Sequence, residues 1–133
     1  MAEVDWALLC DYSFLDVGRK MCVIGVFDRI FTPAVPAQQH QAAIVIRFSG
    51  DPGETVKFKV EAIRPIAAGG GTVATLAGET KIGDTGGSEF SANIVGLPLP
   101  DYGSYAFQVY ISDKMAKVIT FNVDRPPTQT INP

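Results

Sequence analysis

One histidine, His40, and two cysteines, Cys10 and Cys22, are all this chain offers of the residue types that most often ligate metals or act as activated nucleophiles. Zinc needs three or four Cys or His ligands at set spacing, so no zinc site is expected. An acyl-transfer triad needs a nucleophile beside a base, and His40 stands alone in Gln38-Gln39-His40-Gln41. The carboxylates are dispersed as well. Asp16, Asp28, Asp51, Asp84, Asp101 and Asp113 are single residues with no D-x-D pattern, which argues against a calcium loop. Gly69-Gly70-Gly71-Thr72 lacks the lysine and the following helix of a phosphate loop. No cofactor, metal or catalytic residue is expected, and the chain reads as a non-enzyme.

Charge is scarce too. Charged residues make up 19% of the chain, against about 25% in an average soluble domain. The net charge is −3, with 11 basic and 14 acidic residues scattered along the sequence. The tightest basic grouping is Lys57, Lys59 and Arg64, interrupted by Glu61, so nothing draws a phosphate backbone and no nucleic-acid partner is expected. No apolar run approaches the roughly 18 residues of a membrane span. The opening MAEVDWALLCDY carries Glu3 and Asp5 and does not suit a secretory leader. With free cysteines placed in apolar runs, a reducing, cytoplasmic setting is the expectation.

What the chain has in quantity is alternation. Val56, Phe58, Val60 and Ala62 alternate with Thr55, Lys57, Lys59 and Glu61, the period of a half-buried strand. Tyr105, Phe107, Val109 and Ile111 repeat the pattern, as do Phe90, Ala92 and Ile94, and then Ile119, Phe121 and Val123. Val4–Cys10, Met21–Phe27, Ala42–Phe48 and Thr72–Leu76 read as four further strands. The prolines fall outside these runs or at their ends, as a residue without an amide donor should. Gly50-Asp51-Pro52-Gly53 predicts a tight hairpin turn and Ser112-Asp113 another. Gly25, inside an apolar run, predicts a bulge or a close backbone approach. Ala37–Ala43 has room for one helical turn at most. The prediction is an all-β, single-domain antiparallel β-sandwich of about eight strands over residues 1–123, immunoglobulin-like or C2-like in outline. A polar arm, Asp124–Pro133, follows.

The stretch LPDYGSYAFQVYI has the spacing D-x-G-x-Y-x-F. In immunoglobulin-type sandwiches a tyrosine near the start of strand F turns its hydroxyl back onto upstream backbone. Asp101, Gly103 and Tyr105 have the placement of such a corner, with Phe107 where a cysteine often stands. The companion Cys–Trp–Cys spacing is missing, and Trp6 lies in the first strand.

Two stretches together resemble a family of uncharacterised bacterial proteins, a domain of unknown function. ALLCDYSFLDVGRKMCVIGVFDRIFTPAVPA, Ala7–Ala37, is similar to its first signature, with LLCDY and VIGVFD. NIVGLPLPDYGSYAFQVYI, Asn93–Ile111, is similar to its second, a GLPLP turn followed by G-x-Y-x-F-x-V. The resemblance implies a compact cytoplasmic β-sandwich and carries over no binding or catalytic residue.

Two runs break the alternation. Met21–Phe27 and Ala42–Ile46 are apolar on both faces, whereas an antiparallel strand normally keeps one face wet. Either the chain covers the extra face itself, with the loop Arg29–Gln41 or the N-terminal strand, or a partner does. The functional expectation is a non-catalytic interaction or structural protein, a homo-oligomer or a subunit of a larger assembly. Ile24, Val26 and Val45 would lie on the associating face, with the C-terminal arm clasping a neighbour. The alternative is a monomeric module that binds a small molecule or carbohydrate through loops at one end of the sandwich, with Tyr12, Tyr102 and Tyr110 clustered there.

Overall fold

A computed structural model describes residues 1–127. Nine strands form two packed sheets: β1 (Glu3–Leu15), β2 (Met21–Val26), β3 (Arg29–Phe31), β4 (Ala37–Ser49), β5 (Thr55–Ile63), β6 (Thr72–Lys81), β7 (Gly87–Leu99), β8 (Gly103–Ile111) and β9 (Lys114–Asp124). The first sheet has the order β2-β1-β4-β7, the second β3-β9-β8-β5-β6. The fold is therefore an all-β sandwich. Every pairing is antiparallel except β3 with β9, which is parallel.

The alternating strands bury the faces their sequences assign. Val56, Phe58, Val60 and Ala62 of β5 meet Tyr105, Phe107 and Val109 of β8 and Phe121 and Val123 of β9 in the core. Ile44, Ile46 and Phe48 of β4 and Leu97 and Leu99 of β7 close it from the first sheet. Aromatic rings organise its centre. Phe121 stacks on Tyr105 at 5.2 Å between centroids and touches Phe107 at 5.7 Å, while Phe27 meets it edge-on at 6.4 Å. Ser112 and Asp113, at φ of 47° and 69°, form the two-residue turn joining β8 to β9.

The strand number, nine, agrees with the expected count of about eight, the addition being Arg29–Phe31, a short strand on the edge of the second sheet. Several other sequence expectations are corrected. Ala37–Ala43 is no helical turn, and Arg29–Gln41 is no covering loop. Those residues split between β3 and the first part of β4, where Gln38, Gln39 and Gln41 pair with Pro98, Leu97 and Val95. His40 is thus a strand residue, exposed. Gly50–Gly53 turns the chain from one sheet to the other, since β4 and β5 lie in different sheets and form no hairpin. Pro98 stands inside β7, tolerated because β7 is an edge strand. Residues 128–133, most of the polar arm, lie outside the described residues.

The second apolar face of Ala42–Ile46 is covered from within the chain. Cys10, Ala43 and Val45 form a second small cluster, on the side of the first sheet opposite Ile44 and Ile46, with Leu8, Met21 and Val23 packed on it. The first half of β1 pairs with β4 and the second half with β2. Past Cys10 burial changes parity: Ser13 is buried while Tyr12 and Phe14 are exposed. The change falls where Asp11 faces Gly25, which sits at φ 71° so close to the Asp11 carboxylate that an added Cβ would lie 2.4 Å from it. The hairpin therefore lays Met21 and Val23 over the sheet. Ser13 is caught beneath it, its hydroxyl without a hydrogen-bond partner among the described residues. Ser13→Ala removes that unpaired group and is expected to leave stability unchanged or raise it by up to about 1–2 kcal/mol. A loss above about 1 kcal/mol in urea denaturation would show that the hydroxyl is bonded.

Candidate functional site

The sites proposed from sequence separate into a structural corner and a surface face. The corner assembles Asp101, Gly103 and Tyr105. Gly103, at φ 127°, turns the chain into β8, with Pro65 so near that an added Cβ would lie 3.1 Å from its ring. The Tyr105 hydroxyl then returns to Asp101. It donates to the Asp101 carbonyl at 2.8 Å and accepts from the Asp101 N–H at 2.9 Å. Burial pushes the Tyr105 phenol above its ordinary range, which keeps the hydroxyl a donor. Arg64 holds the Asp101 carboxylate through Nε at 3.0 Å and ties the β5 end to the same corner. Tyr105→Phe is expected to destabilise by about 1–3 kcal/mol. An unchanged urea midpoint would mean the hydroxyl contributes nothing.

The surface face is built by the β1–β2 hairpin. Ile24 stands opposite Tyr12, and Cys22 opposite Phe14, so these four share one side of the ladder. Tyr12 and Phe14 lie with ring centroids 5.8 Å apart. Ile24 is 55% exposed, Val26 61%, Tyr12 43% and Phe14 39%. Val45 does not belong here. It is 0% exposed beneath Leu8, Met21 and Val23, so its apolar character is used within the chain. That is a correction to its place on the associating face. Tyr12 and Phe14 were not assigned to this face from sequence. Their alternation with buried Ser13 and their register with Ile24 were the signal.

Tyr12, Tyr102 and Tyr110 do not converge. Tyr12 is in the first sheet. Tyr102 precedes β8 and Tyr110 lies near its far end, a separation of about 25 Å at strand rise. Each has a local role: the Tyr102 hydroxyl donates to the Thr32 carbonyl at 3.0 Å, and that of Tyr110 to Gln108 Oε1 at 2.8 Å. A hollow of about 590 Å³ at one end of the sandwich, between Val4, Thr55, Ile111 and Met115, holds no aromatic ring. A cleft of about 210 Å³ between β6 and β7 is floored by Val60 and Phe107, with Thr75 and Asn93 the polar residues among its lining. Among the described residues no three His, Cys, Asp or Glu side chains gather. The Cys10 thiol is buried, which pushes its pKa up, and it donates to the Tyr12 carbonyl at 3.4 Å. No helix among the described residues is long and apolar enough to cross a membrane.

Residues 5–124 match a family of unknown function, DUF6941. The chain belongs to that family. The match runs from within β1 to the end of β9 and so includes the hairpin, the corner and the span between them. No curated protein matches the chain. Among solved structures, the alkylpurine DNA glycosylase AlkC of Pseudomonas fluorescens, bound to DNA containing an abasic site analog, is similar with a TM-score of 0.60 and 5% identity. That match covers 92% of this chain and 30% of the glycosylase, so the chain spans under a third of that protein's length. At such identity the likeness shows the shared sandwich fold alone.

Proposed function

We propose that this DUF6941 protein is a non-catalytic interaction protein, working by self-association or assembly with partner proteins, with the outer side of the β1–β2 hairpin as its contact surface. One observation carries the reading: Tyr12, Phe14 and Ile24 are exposed side by side, next to exposed Val26. Contiguous exposed apolar surface on a folded chain is a mark of protein–protein interaction sites. The residues that bond and titrate elsewhere support no competing chemistry. His40 is alone on a strand, and the buried Cys10 thiol is disfavoured as a nucleophile. Free Cys10 and Cys22 suit a reducing, cytoplasmic setting.

The DNA held by the similar glycosylase does not transfer to this chain. Net charge is −3, and four of the eleven basic residues, Arg29, Arg47, Lys59 and Arg64, are paired with a carboxylate. The reading is tested by light scattering on the purified chain. A mass above 14.2 kDa at about tens of micromolar is expected. A monomer throughout that range contradicts self-association.

A further inference from the structure

We propose that two copies of this chain join along the open edge of β2, antiparallel about a two-fold axis near Ile24. The inference rests on the association reading above and names the partner. Three of the four sheet edges carry features that keep an edge strand from pairing. β3 is only three residues long, and its Arg29 is held by Asp124 at 3.1 Å. β6 carries Glu79 and Lys81. β7 carries Glu89 and Pro98. β2, Met-Cys-Val-Ile-Gly-Val, has neither charge nor proline, and among the described residues it pairs with β1 alone. Its other row of backbone N–H and C=O groups is a ready template for a further strand.

Charge at the two ends of β2 selects a second copy as that strand. Arg19 and Lys20 precede it and Asp28 follows it. Antiparallel pairing about Ile24 sets Lys20 of each copy opposite Asp28 of the other, twice over. The same register sets Arg19 opposite Arg29, a like-charge pair softened because Arg29 is held by Asp124 at 3.1 Å. The body of the strand brings Ile24 against Ile24 and Cys22 against Val26, with no like charges facing each other. Two four-stranded sheets become one of eight strands, and the two-fold closes the assembly at a dimer.

The test is sedimentation equilibrium on the full chain and four variants. The wild type is expected at twice 14.2 kDa. Ile24→Lys, at a half-exposed site where the fold is not at stake, places two lysines across the axis and is expected to weaken dimerisation at least about tenfold. Ile66→Lys, at an exposed residue of the 3-10 turn Ile66–Ala68 that joins β5 to β6 in the second sheet, is the control and leaves it unchanged. Lys20→Glu combined with Asp28→Lys restores the affinity that Lys20→Glu alone removes. A dimer indifferent to Ile24→Lys overturns the edge assignment and leaves association through another surface standing. A monomeric wild type overturns the edge assignment and self-association together.

Discussion

Phe121→Ala is expected to destabilise the protein by about 3–5 kcal/mol, a large share of the roughly 5–15 kcal/mol that holds a domain together. The residue is fully buried and touches three aromatic rings at once. Truncation removes the transfer free energy of the ring and leaves a cavity walled by Tyr105, Phe107 and Phe27, whose own positions are fixed by β8, β9 and the hairpin exit. Those walls cannot close inward, because Tyr105 is tethered to Asp101 through two hydrogen bonds. Each lost ring contact adds about 0.5–1.5 kcal/mol beyond area. Urea denaturation measures the effect, and a loss under about 1 kcal/mol would mean that the two sheets do not meet at this ring.

Val45→Asp is expected to cost at least about 3–5 kcal/mol, because it leaves an unpaired carboxylate in a sealed apolar cluster. Val26→Asp, at a β2 position that is 61% exposed, should stay within about 0.5 kcal/mol of wild type. The contrast is informative because both positions are valines in strands that read as doubly apolar. Arg47, two residues from Val45 on the same face, is already committed to Glu89 at 3.0 Å and to Asp5 at 3.5 Å, so it cannot rescue the new charge. Equal effects at the two valines would mean that the hairpin does not lie over the first sheet.

The strands of the second sheet were largely legible in the sequence. β5 and β8 each bury one face, and a pleated strand with one buried face alternates by geometry. β3 was not legible: three residues between Asp28 and a proline-rich turn give no period to read. The first part of β4 was hidden for a different reason. Gln38–Gln41 forms a strand by pairing with β7, largely without burial, so no hydrophobic pattern marks it. The face at Ile24 and Val26 was visible as apolar sequence. Its separation from Val45 was not, since that depends on the turn of the hairpin at Asp11 and Gly25, a tertiary event. The corner at Tyr105 was readable because its three residues act within five positions of one another.

Amide hydrogen exchange, compared between dilute and concentrated protein, tests most directly whether the hairpin seals the sheet on one side and offers its free edge to a second copy. The amides of Ala42–Ile46, central in the first sheet, should exchange slowly at both concentrations. The Met21–Val26 amides that face the free edge, and not β1, should exchange quickly when dilute and slowly when concentrated. Protection in Met21–Val26 that is the same at both concentrations would contradict the assignment.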